Sequence, residues 1–253
     1  MNHPAKRIWF GSEEPIFGAL PANVLANFRN QRSENALLWN TIYKIAQPSV
    51  RLRSLLSVHP LWGTKGSFEE SRDDILYPYF WGFNVQGERL RGLDEALRAV
   101  DGLGPGTEVD LILVGDHHLI AVEAKHTSGF GRCSRYQQGR CPEIHREGSV
   151  EENCRYWEQE EAQLAGAIRM GDRPEVHSET PLCWRHYQLG RTLLLGQRLA
   201  RLHERIFALW AIVPERGWRS LELDWLDFSG RLRDSETWRR MRVITWEGLS
   251  AID

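Results

Sequence analysis

Apolar and polar positions follow two rhythms along this chain, one close to period two and one close to period 3.6. Two short runs, Val109–Val114 and Leu119–Val122, are rich in Val, Ile and Leu and are separated by Gly115-Asp116-His117-His118, which predicts an antiparallel hairpin within Thr107 to Thr127. From Ser33 to Ala46 the rhythm is helical, with Leu38, Ile42 and Ile45 on one face, Ser33 as N-cap and Pro48 just beyond the end. Further expected elements are a short helix over Val50–Val58, a first strand over Leu76–Val85 and an amphipathic helix over Glu88–Val100. Pro78 suits that first strand to a sheet edge. Gly102, Gly104, Pro105 and Gly106 then turn the chain into the hairpin. Beyond it come a helix over Glu151–Met170, a long helix over Trp184–Arg201 and a strand over Ile206–Val213 stopped by Pro214. A last strand over Val243–Trp246 and a short helix over Glu247 to Ala251 complete the pattern. Residues 1–32 read as an irregular entry, and Ser128 to Pro181 as the least regular part.

The hairpin makes a prediction by arithmetic. If Val114 sits opposite Leu119, Asp110 falls opposite Glu123, and Lys125 lies on the same face, opposite Glu108. Directly opposed residues have Cβ atoms roughly 4.5–5.5 Å apart. A four-residue loop over Gly115–His118 keeps this register, whereas a three-residue loop puts Asp110 and Glu123 on opposite faces.

Like charges directly opposite one another destabilise a sheet unless a cation lies between them. Two carboxylates in a partly dry site suit Mg²⁺, which prefers oxygen ligands and keeps several waters, and the Ala124 carbonyl could supply a third oxygen. Lys125 beside such an ion can hold or deprotonate a water, or neutralise charge on a phosphate. These parts fit metal-assisted phosphodiester hydrolysis; the bland alternative is a charged hairpin edge.

At 253 residues the chain can build one large core, and it reads as a single domain over 1–253 with an irregular Cys- and Arg-containing insertion at about 128–180. Hydrophobic residues make up 42% and charged residues 26%, ordinary values for a globular protein. No apolar run approaches the roughly 20 residues of a membrane span, and the N-terminal stretch lacks the apolar core of a signal peptide, so a cytoplasmic protein is expected. The net charge of -2 argues against a general nucleic-acid coat, but not against a locally basic patch. Arg132, Arg135 and Arg140, spaced by Gly and polar residues after Lys125, are candidate phosphate contacts, or else a solvated loop. Arg231 to Arg242 is a second basic stretch.

Asp110 followed by Glu123-Ala124-Lys125 at the end of the next strand resembles the PD-(D/E)XK nuclease superfamily, although Val109 stands where the motif's proline is usually written. The resemblance implies an α/β, restriction-endonuclease-like three-layer core, a central mixed sheet flanked by helices, and the order helix, hairpin, helix, strand agrees with it. It implies that Asp110 and Glu123 hold Mg²⁺, or Mn²⁺ in its place, and that Lys125 assists the attacking water. Glu34 resembles the glutamate that many members carry on the first core helix, facing the Asp and E-x-K residues, which implies that it joins the metal site; the alternative is a favourable charge in the helix's first turn. Tyr187-Gln188-Leu189-Gly190-Arg191 resembles the segment whose Gln touches the site in part of the superfamily, which nominates Gln188 and Arg191, although the tyrosine of the commoner version is Thr192 here. The expected partner is nucleic acid, DNA before RNA, in restriction or phage defence, and a homodimer is allowed. A closer likeness is to a bacterial group of restriction-endonuclease-related proteins. The rival reading is a non-catalytic nucleic-acid-binding or scaffold protein that keeps the fold.

Cys133, Cys141 and Cys154 lie in the insertion, near His145, and Cys183 follows. No close C-x-x-C pair is present, so the cysteines read as ordinary thiols, with structural zinc or an iron–sulfur cluster as the minor alternative.

Overall fold

The computed structural model describes residues 8–29, 33–46, 52–64, 74–102, 109–148, 153–175 and 180–252. Its centre is one six-stranded mixed sheet. The strands are β1 (Trp62–Gly63), β2 (Tyr77–Phe80), β3 (Leu111–Val114), β4 (His118–Ala124), β5 (Ile206–Val213) and β6 (Arg242–Thr245), in the order β1-β6-β5-β4-β3-β2. β2, β3 and β4 run antiparallel in sequence, β4–β5 and β5–β6 are parallel, and β1 closes the far edge antiparallel to β6.

The central strands are buried on both faces, which is why they read as continuous apolar runs. Ile120, Val122 and Ala124 of β4 and Ala208, Trp210 and Ile212 of β5 pack on one side, with Leu38, Trp39 and Ile42 of the helix Glu34–Ala46. Leu119 and Ala121, with Leu209, Ala211 and Val213, pack on the other, against Leu189, Leu193 and Leu199 of the helix Tyr187–Leu202 and Trp225 and Phe228 of the helix Trp218–Gly230. Each buried Val, Leu or Ile among them contributes about 1.5–3 kcal/mol by leaving water. Helices on both faces of a mixed sheet make the α/β, restriction-endonuclease-like architecture. Among the described residues no helix is long and apolar enough to cross a membrane.

Several local expectations hold for identifiable reasons. Ser33 Oγ accepts the Ala36 N–H at 3.0 Å and starts the helix Glu34–Ala46. Pro78 lies in β2, the edge strand, where a missing N–H does no harm. Gly190 and Gly196 are tolerated in the long helix because a Cβ there would strike Leu164 and the Phe207 ring.

Others are corrected. The strand expected over Leu76–Val85 stops at Phe80, because Trp81 and Gly82 take φ of 49° and 85° and Phe83 folds back onto Phe80. The helix expected from Glu88 begins at Leu93, after left-handed Gly92. The continuous helix over Glu151–Met170 is replaced by Arg155–Glu158, a 3₁₀ turn Glu160–Ala162 and Leu164–Ala167. Gln159 and Gln163 are extended there, and Ile168 bridges to Leu232 as strand. The long helix starts at Tyr187 rather than Trp184, because His186 leaves helical geometry and its ring bonds Asp227 at 3.0 Å. Of Val50–Val58, Arg53–Ser57 is helical. The entry contains two short helices, Ile16–Ala19 and Ala22–Asn27. The last strand is Arg242–Thr245, and Thr245 caps the helix Trp246–Ser250. Gly104, Pro105, Gly106 and Glu108 lie outside the described residues.

Candidate active site

The hairpin has the register that the apolar pattern implies. Val114 pairs with Leu119 and Leu111 with Val122, so Asp110 and Glu123 occupy the next step of the ladder. Gly115 N–H closes the turn on the His118 carbonyl at 2.7 Å. Asp74, buried beside the turn, accepts the main-chain N–H groups of His117 and His118 at 3.2 and 3.1 Å and that of Asp116. The turn is therefore pinned from outside the hairpin, which favours the register that sets Asp110 beside Glu123.

Asp110 Oδ2 accepts the Ala124 N–H at 2.9 Å, tying the two strands together at the site. Glu123 is fully buried on the face that meets the long helix. Gln188 Nε2 donates to Glu123 Oε2 at 2.6 Å, and Thr192, one helical turn later, donates its hydroxyl to Oε1. Lys125 Nζ stands 3.7 Å from Glu123 Oε2 and is 5% exposed. Its backbone is fixed from both sides, its N–H on the Ile212 carbonyl at 2.8 Å and its carbonyl on the Trp246 indole at 2.8 Å. Glu34 comes from the opposite face of the sheet; its Oε2 accepts His126 N–H at 2.6 Å and Ser128 Oγ at 2.9 Å. Asp110, Glu123, Lys125 and Glu34 thus meet at one end of β3 and β4.

The electrostatics follow from this crowding. Burial pushes the Glu123 carboxyl up to about 7, and the neighbouring Asp110 adds to the shift. Asp110 is also raised by burial, against the pull of Lys125. For Lys125, burial pulls downward, but Asp110, Glu123 and Glu34 outweigh it and hold the ammonium above its ordinary range. More negative charge is present than one lysine neutralises, and a divalent cation is the group that such a site fits. Among the described residues no three His, Cys, Asp or Glu side chains close around one point as ligands. An ion here would rest on Asp110, Glu123, the Ala124 carbonyl and water, a donor set suited to Mg²⁺.

Not every nominated residue reaches this point. Arg191 is buried and paired through two nitrogens with Asp101, and it touches the site only through its field on Glu123. Arg132 is held by Asp224 at 2.6 Å and by the Arg185 carbonyl at 2.9 Å, its guanidinium over Trp184. Arg140 bonds Gln138. Arg135 lines a cleft of about 870 Å³ with Arg98 and Arg155. In the basic stretch, Arg231 pairs with Asp227, Arg239 and Arg240 pair with Glu236, and Arg242 is fully buried. Two residues at the site were not nominated. Thr192 was legible only as a departure from a motif, though it lies four residues after Gln188 on one helical face; Trp246 carries no sequence signal for its bond to Lys125.

A family model described as restriction endonuclease associating with ARP (REase-ARP) matches residues 23–252, nearly the whole chain. The chain belongs to that family. The REase-ARP match spans the helix that carries Glu34, the hairpin that carries Asp110, Glu123 and Lys125, and the helix that carries Gln188. No curated protein and no solved structure matches the chain.

Proposed function

We propose that this chain is a Mg²⁺- or Mn²⁺-dependent nuclease that hydrolyses phosphodiester bonds in DNA, with Asp110, Glu123 and the Ala124 carbonyl holding the ion. The observation that carries the reading is the pairing of two opposed carboxylates with a lysine 3.7 Å from one of them at the end of a single hairpin. Bound there, the ion would supply Lewis-acid activation of water and stabilise charge on the phosphate. Gln188 and Thr192 fix both oxygens of Glu123, so the carboxylate is oriented before a ligand arrives. Lys125, kept as ammonium by its acidic neighbours, is suited to orient the attacking water and to neutralise the developing phosphate charge rather than to act as a neutral base. Glu34 clamps the chain leaving β4 through His126 and Ser128, which places its carboxylate at the rim. The cleft lined by Arg98, Arg135 and Arg155 offers a basic path for a phosphate backbone. Restriction is the setting that fits the family's description, and phage defence is part of the same proposal.

The test is cleavage of supercoiled plasmid, linear duplex and single-stranded RNA by the purified chain with Mg²⁺, Mn²⁺ or EDTA. Metal-dependent cutting of DNA over RNA is expected. Preferential RNA cutting would reassign the substrate. A folded chain that neither cuts nor binds the ion would be a scaffold.

A further inference from the structure

Four cysteines separated by up to 50 positions of sequence line one small cavity beside the long helix. Cys133, Cys141, Cys154 and Cys183 share it with Tyr136, Trp157, Leu164 and Trp184. All four are free thiols, and they are the only cysteines in the chain. Their convergence is a product of the fold: Cys133 N–H bonds the Trp184 carbonyl at 3.1 Å, and Cys154 N–H bonds Glu143, itself buried and paired with Arg173. The first bond ties the start of the 128–180 excursion to the approach of the long helix, and the second ties two parts of the excursion to each other.

We propose that Cys133, Cys141, Cys154 and Cys183 are the thiolate ligands of a second metal centre, zinc or an iron–sulfur cluster, that staples the excursion to the fold. Four convergent sulfurs are the donor set that thiophilic metals select. The surroundings are already arranged for sulfur anions. Main-chain N–H groups of Arg135 and Tyr136 are directed at Cys133, that of Tyr156 at Cys154 and that of Trp184 at Cys183, the pattern that tunes metal-bound thiolates. The Trp157 indole is directed at Cys183, and the indole nitrogen of Trp184, which lines the cavity, and His145 Nδ1 beside Tyr136 are buried with no conventional acceptor. Arg98, Arg135 and Arg155 line the adjoining cleft, which Cys133 and Cys154 also reach, and so face the negative charge that four thiolates leave around a divalent ion. Burial pushes the Cys154 and Cys183 thiols up to about 12, and the neighbouring cysteines push in the same direction. A coordinating cation reverses that balance by deprotonating the thiols outright. Since no three potential ligands among the described residues stand closed around one point, seating the centre requires the four cysteine side chains to draw together within the cavity they share.

The inference is independent of the nuclease reading, and its test does not use activity. The full chain would be purified without oxygen and analysed for zinc, iron and acid-labile sulfide, with its reactive thiols counted before and after chelation. One zinc per chain, or iron and sulfide in equal amounts with visible absorption, is expected, with the thiols protected until the metal is removed. Cys133→Ser and Cys183→Ser should each lose the metal, whereas Asp110→Ala should retain it. If the serine variants do not fold, the wild-type stoichiometry and its restoration by Zn²⁺, or by Fe²⁺ with sulfide, still decide. A folded wild type that takes up neither metal and shows four reactive thiols, or a disulfide among the four, would overturn the proposal.

Discussion

Gln188 donates its amide N–H to Glu123 at 2.6 Å while its own carbonyl oxygen accepts the Gly131 N–H, so one side chain holds both the buried carboxylate and the chain that leaves it. The long helix therefore acts as the back wall of the site, and Thr192 completes the grip on Glu123. Orientation of a ligand by such partners is commonly worth about 10–100-fold in metal affinity or activity. Gln188→Ala should weaken Mg²⁺ binding and cleavage by a factor in that range, and Thr192→Val by less, since Gln188 still holds the other oxygen. Isothermal titration with Mg²⁺ beside cleavage rates checks this; unchanged affinity and rate in Gln188→Ala would remove the helix from the mechanism.

The raised Glu123 carboxyl gives a pH dependence with a definite sign. Its folded value of about 7 lies above the ordinary 4.5, so between these limits the native state holds a proton that the unfolded chain has lost. The metal-free protein should therefore lose stability as pH rises from about 4.5 to 7, in contrast to a carboxylate stabilised by a salt bridge. Asp110 is shifted in the same direction and adds to the slope. A cation must displace that proton, so Mg²⁺ affinity should climb over the same interval and level off above it, with proton release on binding. Thermal melts at pH 5 and 8 with EDTA or Mg²⁺ measure both effects. Equal stability with EDTA at the two pH values would contradict the assignment.

Lys125 behaves differently. Its acidic neighbours raise it, so it remains charged well past neutral pH. With an electrostatic lysine, the cleavage rate at saturating metal should stay flat from about pH 7 to 9, whereas a lysine that acts as a base would give a rate that climbs with pH.

Glu34 carries two readings that one substitution separates. Glu34→Gln keeps an oxygen for the His126 and Ser128 donors but removes the charge. If the carboxylate contributes to the ion, affinity should fall by about tenfold while the melting temperature holds. Full affinity in Glu34→Gln would leave it as a clamp alone.

Arg191 and Asp101 form a buried pair behind the site. Arg191→Ala leaves the Asp101 carboxylate with the Tyr156 hydroxyl but without its cation and should destabilise the fold by about 3–5 kcal/mol, measured by urea denaturation, and replacing both with apolar residues should restore much of that loss. A loss of cleavage in Arg191→Ala without loss of stability would instead return Arg191 to the catalytic apparatus.

How much of this was legible in the sequence depended on whether a signal was local. The register of β3 and β4 could be counted, because two apolar runs and an even loop admit one pairing that buries both faces. Ser33 and Pro78 announced a helix start and an edge strand through their own chemistry. The helix Trp218–Gly230 went unassigned, although Trp218, Leu221, Trp225 and Phe228 recur at helical spacing. Tertiary choices were not legible. The arginines of the basic stretches carry no mark of which acid or carbonyl takes each one, and nothing local marks Arg191 as the partner of Asp101. The cysteines are the extreme case, since their spacing lacks any close pair and only the fold brings them to one cavity.

The central claim is tested most directly by Mg²⁺-dependent cleavage of supercoiled plasmid by wild type, Asp110→Ala and Lys125→Ala under one set of conditions. Wild type should cut, Asp110→Ala should lose both metal binding and cleavage, and Lys125→Ala should bind the ion yet cut slower by about 10²–10³-fold. Cutting that persists at the wild-type rate in both variants would place the activity elsewhere and contradict the assignment.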